Sequence, residues 1–212
     1  MKDDLVLLVV GSGGREFAVA KKLKESPHVK TVYCAPGNVG MQTICVETVP
    51  IEETDLDGLL DFAKSKHVDW TFVGPENVLC AGITDKFEKA GQKIFGPNQR
   101  AAQLEGSKDY ALRFMSKYNI PTARHETFTS AETCIAGLKN FDYPVVIKED
   151  GLAGGKGVTI AQNQDVAEET IREMFAGGQT AVVLEECLVG PEYSMFVLVS
   201  EDKFTILPMA QD

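Results

Sequence analysis

The chain has 212 residues, 44% of them hydrophobic, enough to bury a substantial core in one or two domains. Its formal charge of −10 and pI near 4.9 argue against a broad phosphate-backbone footprint, so nucleic acid is not an expected partner and anionic ligands need local basic pockets. Cys34, Cys45, Cys80, Cys134 and Cys187 are odd in number, scattered and free of any C-x-x-C pair, which fits reduced thiols in the cytoplasm.

At the N-terminus, six consecutive apolar residues, Leu5 to Val10, follow Asp3-Asp4; this is neither a signal peptide nor a membrane span. Residues 5–10, 31–34, 70–73 and 93–95 read as strands. Apolar residues at three- and four-residue spacing predict helices over 16–24, 56–66 and 83–90. That alternation implies a Rossmann-like parallel α/β sheet. Helices over 101–104 and 109–118 follow, and Asn119-Ile120-Pro121 ends the helical pattern near a domain boundary. The chain then reads strand (125–128), helix opened by a Thr129-x-x-Glu132 capping box, strand (145–148), glycine loop, strand (158–161), helix (165–175) and strand (181–186). These two strand–helix–strand units make a small α+β domain. Residues 193–200 and 203–210 read as an antiparallel hairpin turned at Glu201-Asp202. The expected organisation is therefore a Rossmann-like domain (1–103), connecting helices (104–122), a small α+β domain (123–190) and the first strands of a further subdomain (191–212).

The most informative stretch is 145–157, V-V-I-K-E-D-G-L-A-G-G-K-G. Gly151, Gly154, Gly155 and Gly157 remove side-chain bulk, so successive amides can converge on phosphate oxygens, and Lys148 and Lys156 add mobile charges. A plain hairpin turn is the alternative, although ordinary hairpin loops need only about 2 to 5 residues. Gly151 and Lys156 stand too close together for a Walker A loop, and Gly157 replaces its magnesium-binding Ser or Thr.

Gly11-Ser12-Gly13-Gly14-Arg15-Glu16 follows a strand and opens a helix, a place where amides receive phosphate. The alternative is a glycine turn that only lets the helix pack. Glu16 stands where a dinucleotide motif needs its third glycine, and the second strand lacks the ribose-binding acid, so NAD is disfavoured. Ala35-Pro36-Gly37-Asn38 and Val73-Gly74-Pro75-Glu76 also follow strands; Asn38 suits hydroxyls and Glu76 an amine or ribose hydroxyl, unless both loops are mere turns. Glu185, Glu186 and Glu192 flank Cys187-Leu188-Val189-Gly190 at a strand exit, which suits an adenine edge and a ribose, or a solvated turn. His28, His67 and His125 read as surface or loop residues with no metal-ligand spacing; Met174, Met195 and Met209 read as core filler.

Taken in order, G-S-G-G-R-E, A-P-G-N, G-P-E, I-F-G-P, Q-L-E-G-S-K, I-P-T-A, V-V-I-K-E-D-G-L-A-G-G-K-G-V and L-E-E-C-L-V-G-P-E-Y-S resemble the phosphoribosylamine–glycine ligase family of the ATP-grasp superfamily along the whole chain. The resemblance implies a Rossmann-like domain followed by an ATP-grasp lid and the start of the catalytic domain. It also implies an ATP-dependent joining of glycine to 5-phosphoribosylamine through a glycyl phosphate, in the cytoplasm, with neither nucleic acid nor membrane as partner. Lys108, Lys148, Gly154, Gly155, Lys156 and Gly157 match positions around the ATP phosphates. Glu185, Glu186 and Leu188 match the adenine site, and Glu192 the ribose carboxylate. Gly13, Gly14, Arg15, Asn38, Pro75 and Glu76 are the candidates for phosphoribosylamine. Family members continue past the equivalent of Asp212, where the resemblance places the Mg2+ ligands and much of the glycine site; the expectation is an N-terminal half without activity of its own. Phe17 and Val78 depart from the family's common His and Pro, and 176–180 is short. Another ATP-grasp carboxylate ligase and a non-catalytic ATP-binding module remain as alternatives.

Overall fold

Leu5–Gly11 (β1) is apolar toward both faces, the pattern of a central strand in a sheet covered on both sides. The computed structural model describes residues 3–154 and 156–211 and falls into two compact units, Met1–Pro121 with Asp150–Gly157, and Thr122–Glu149 with Val158–Asp212. Gly155, one of the glycines expected at the phosphates, lies outside the described residues.

In the first unit β1 is followed by α1 (Gly14–Lys24), β2 (Val29–Pro36), a tight helical turn (Val39–Ile44), β3 (Glu47–Thr48), α2 (Leu56–Ser65) and β4 (Trp70–Val73). Then come α3 (Glu76–Cys80), α4 (Ile83–Lys89), β5 (Ile94–Phe95), α5 (Gln99–Gly106) and α6 (Lys108–Lys117). The strands form one parallel sheet in the order β3-β2-β1-β4-β5. Even-numbered residues of β1, Leu8 and Val10, face Leu59, Ala63, Val78, Ile83 and Phe87 of the helices on one side. Its odd-numbered residues Leu7 and Val9 pack with Ala20, Val32, Cys34 and Met41 on the other. Asp55, Asn98 and Ser107 cap α2, α5 and α6 through side-chain oxygens that accept from backbone amides. Phe17 packs against the odd-face cluster and Val78 is fully buried, so both departures from the family pattern serve the core.

The second unit contains β6 (His125–Phe128), α7 (Ala131–Gly137), β7 (Val145–Glu149), β8 (Val158–Ala161), α8 (Gln164–Ala176) and β9 (Val182–Glu186). Its strands form an antiparallel sheet, β6-β9-β7-β8. Val145, Ile147, Val182 and Leu184 pack beneath Cys134, Leu138, Ala167, Ile171 and Met174. Four short strands complete the chain: β10 (Tyr193–Ser194), β11 (Val197–Ser200), β12 (Lys203–Ile206) and β13 (Ala210–Gln211).

Several sequence expectations are corrected. The cap of α7 is Ser130, whose Oγ accepts from the Thr133 amide, so the Thr129-x-x-Glu132 box does not form. The hairpin does turn at Glu201-Asp202, but Met195-Phe196 and Leu207-Pro208-Met209 interrupt its arms; Pro208 has no amide to donate, and Leu207 N–H donates to Phe196 O across the gap. Met195 and Met209 are exposed rather than core residues, because no described segment packs over these strands; Met174 is buried as expected. The Gly74-Pro75-Glu76 loop is short, because helix α3 begins at Glu76.

Candidate functional site

In the first unit, the turn from β1 into α1 is organised around Glu16, a side chain 3% exposed. One of its carboxylate oxygens accepts from the Gly13 amide at 2.7 Å and the other from Arg15 Nε at 2.7 Å. The glycine-turn amide that would suit a phosphate is therefore engaged by the protein's own carboxylate, the N-terminal acid expected to favour a helix start. Arg15 Nη1 donates to Glu76 at 2.7 Å, and Asn38 Nδ2 donates to Ser12 O at 2.8 Å. The turn thus gathers Gly13, Arg15, Asn38 and Glu76 at the carboxyl ends of β1, β2 and β4, the edge where open parallel sheets collect ligand groups. Gly14 is exposed at the first position of α1, and Pro75 is buried at the start of α3. The hydrogen bond from Arg15 is the main cause that lowers the Glu76 carboxyl below its ordinary range, and the same bond is the main cause that raises the guanidinium.

The glycine loop joins β7 to β8, and its eight residues, 150–157, outnumber those of an ordinary hairpin turn. Gly151 and Gly154 adopt φ of +95° and +56°, conformations that L side chains rarely enter. The start of the loop is tied to the N-terminus of α6. Asp150 accepts from Ser107 Oγ at 3.1 Å and from the Asp109 amide at 3.2 Å, while Lys108 Nζ donates to Gly151 O at 2.8 Å. Lys156 and Gly154 are exposed and Gly157 is buried.

In the second unit Lys148, on β7, donates through Nζ to Glu185 on β9 at 2.7 Å. Glu185 is buried, and its neighbour Glu186 accepts from the Arg124 amide at 2.7 Å. Leu188 and Glu192, beyond the end of β9, are exposed. This carboxylate pair at the strand end is partly committed to internal bonds, whereas Leu188 and Glu192 face solvent.

Residues 5–105 match the family model of the phosphoribosylglycinamide synthetase N domain, and residues 106–212 match that of its ATP-grasp (A) domain. The chain belongs to the phosphoribosylglycinamide synthetase family. It is 48% identical over 206 residues to the phosphoribosylamine–glycine ligase of Lactococcus lactis subsp. lactis, an alignment that covers 97% of this chain and 50% of that protein. The ligase of Streptococcus suis is 50% identical over 211 residues, again with 97% and 50% covered. The chain thus spans about half the length of the curated relatives it matches. Among solved structures, phosphoribosylamine–glycine ligase from Thermotoga maritima superposes with a TM-score of 0.76 at 32% identity, covering 97% of this chain and 49% of that one. An N5-carboxyaminoimidazole ribonucleotide synthetase superposes with a TM-score of 0.79 at 17% identity over all of this chain and 55% of its own, a likeness of fold alone. The Rossmann-like sheet and the ATP-grasp architecture expected from the sequence are both present in this synthetase family member.

Three residues of the two constellations escaped sequence reasoning. Glu16 stands where a dinucleotide motif needs glycine, and its position three residues into a helix that follows Gly13 is a capping-box position, the signal that could have found it. Asp150 sits between Lys148 and the glycines, and Ser107 immediately before Lys108; the pairing of these two distant motifs had no local signal.

Proposed function

We propose that this chain serves an ATP-dependent ligase that joins glycine to 5-phosphoribosylamine, giving glycinamide ribonucleotide, ADP and phosphate. The observation that carries the choice among ATP-grasp reactions is the match of residues 5–105 to the synthetase's own N domain, since the ATP-grasp fold alone is shared with other carboxylate ligases. In the reaction a glycine carboxylate oxygen takes the γ-phosphoryl group and ADP leaves. The phosphoribosylamine nitrogen then attacks the glycyl carbon, phosphate departs with the bridging oxygen, and the nitrogen loses a proton. Holding the reactants in line and balancing charge supply most of the rate in such transfers.

Each residue has a proposed part. Lys148, Lys108 and Lys156 neutralise ATP phosphates, and the amides around Gly154 and Gly157 donate to phosphate oxygens at positions free of Cβ. Glu185, Glu186 and the backbone at Leu188 read adenine, and exposed Glu192 takes ribose hydroxyls. Arg15 meets the phosphoribosylamine phosphate, with Gly13, Gly14 and Pro75 shaping its surroundings, while Asn38 and Glu76 take hydroxyls and the amine. Among the described residues no group of three or more His, Cys, Asp and Glu side chains is placed to hold a metal ion, so no magnesium role is assigned to them. No described helix is long and apolar enough to cross a membrane.

The test is the substrate requirement of ADP release by the full-length protein that carries this chain. Release that needs glycine and phosphoribosylamine together supports the proposal. Release by the full-length protein that is driven by bicarbonate and an aminoimidazole ribonucleotide, or that is indifferent to glycine, refutes it.

A further inference from the structure

Glu16 is a charged carboxylate buried in the first unit, and the proposed chemistry gives it no contact with substrate. Three glycines from two segments make room for it. A Cβ on Gly74 would lie 1.8 Å from its Oε1, one on Gly11 2.7 Å from its Cγ, and one on Gly13 2.9 Å from its Oε2. No real Cβ approaches another atom so closely, so the ends of β1 and β4 are shaped around this one side chain. Burying a carboxylate is costly unless its oxygens are hydrogen-bonded, and here each oxygen accepts one bond, from Gly13 N–H and from Arg15 Nε–H. The second of these bonds fixes the plane of a guanidinium on a half-exposed side chain, whose Nη1 meets Glu76.

We propose that Glu16 is a positioning residue: from its glycine-walled slot it clamps Arg15 through Nε, so that the guanidinium presents its outer edge to the phosphate of the phosphoribosyl substrate. This rests on the assignment of Arg15 to the phosphoribosylamine side. Glu16 itself touches no substrate. A guanidinium tethered at Nε has lost the freedom that long side chains otherwise give up on binding, and its remaining donors stay directed outward in the fork that suits phosphate oxygens. Glu76 holds the Nη1 edge, and a phosphate arriving there exchanges with a carboxylate that is then free for the sugar hydroxyls or amine.

The test is binding of ribose 5-phosphate to the whole chain by calorimetry, with ATP binding measured in parallel. Glu16→Gln places an amide donor against one of two donors and is expected to weaken ribose 5-phosphate binding about tenfold or more, the loss of roughly one charge-assisted hydrogen bond, with ATP affinity unchanged. Gly74→Ala alters no charge and no required backbone conformation, yet its Cβ collides with Oε1, so it is expected to reproduce the same split. If Arg15→Ala loses ribose 5-phosphate affinity while Glu16→Gln and Gly74→Ala keep it, the inference is overturned and the assignment of Arg15 stands. If Arg15→Ala binds normally, the assignment itself fails and the inference with it. A wild-type readout guards against variants that do not fold: the Arg15 Nε–H proton, identified by its loss in Arg15→Lys, is expected to exchange slowly with solvent before and after ribose 5-phosphate is added. Rapid exchange in both cases overturns the clamp.

Discussion

The Lys148 ammonium and the Glu185 carboxylate lie 2.7 Å apart on the neighbouring antiparallel strands β7 and β9. Lys148 is 27% exposed and Glu185 10%, so the ammonium is the more accessible partner of the pair. Lys148 can exchange a carboxylate for a phosphate without leaving its strand, whereas Glu185 depends on Lys148 for its counter-charge.

Lys148→Ala is therefore expected to act twice. ATP affinity falls by about tenfold or more through the loss of a charge-assisted contact, and the second unit loses roughly 1–3 kcal/mol because the Glu185 oxygen is left without its donor. Titration with ATP and a urea melt measure the two effects. An unchanged ATP affinity refutes the role given to Lys148.

Asp150→Ala frees Ser107 Oγ and the Asp109 amide at the start of α6 and unties the glycine loop from it. A stability loss of about 0.5–2 kcal/mol is expected, as for a lost helix cap. Faster amide exchange over 150–157 with unaltered exchange in β1 is the accompanying signature. Equal exchange in both proteins contradicts the tether.

The Arg15–Glu76 pair has a sign that pH reveals. Glu76 is depressed by the Arg15 hydrogen bond, so its contribution to stability is present above the ordinary carboxyl value of 4.5 and is lost as the pH falls through the lower folded value. Because both side chains are substantially exposed, the effect is small. Melting temperatures of the wild type and Glu76→Gln are expected to differ slightly at neutral pH and to converge in acid. A gap that widens in acid contradicts the pairing.

Burial pushes the Cys34 and Cys134 thiols up to about 12, while Cys45 is exposed. Alkylation of the native protein near neutral pH, read by mass spectrometry, is expected to modify Cys45 first and to spare Cys34 and Cys134 until unfolding. Early labelling of Cys34 contradicts the covered β2 core.

Phe87 is fully buried under the parallel sheet among Leu8, Leu59 and Val78. Phe87→Ala is expected to cost the first unit about 3–5 kcal/mol, which denaturant unfolding measures. A loss below 1 kcal/mol, on the order of a surface substitution, contradicts this packing.

Much of the fold was written locally. Strands β4, β6 and β8 fall on the residues the sequence marked, and in β4 and β8 short runs rich in β-branched and aromatic residues explain why. Helix α3 was missed because Glu76–Cys80 is too short to display a helical period. The broken arms around Phe196 and Leu207 were missed because Pro208, though visible, was read inside a continuous strand. At the candidate site the glycine loop and Lys148 were legible as chemistry. The partners that hold them, Glu185 for Lys148 and Ser107 for Asp150, are 37 and 43 residues away and follow only from the folded chain.

The most direct measurement follows oxygen atoms. Glycine labelled with oxygen-18 in its carboxylate is supplied, with ATP and phosphoribosylamine, to the full-length protein that carries this chain, and the released phosphate is analysed by mass spectrometry. Transfer of a single labelled oxygen to each phosphate, with labelled glycinamide ribonucleotide formed in equal amount, is the expected result, since the glycyl carbon–oxygen bond breaks when phosphate leaves. Unlabelled phosphate, or ADP release that ignores glycine, contradicts a glycyl phosphate and with it the ligase reaction proposed for this chain.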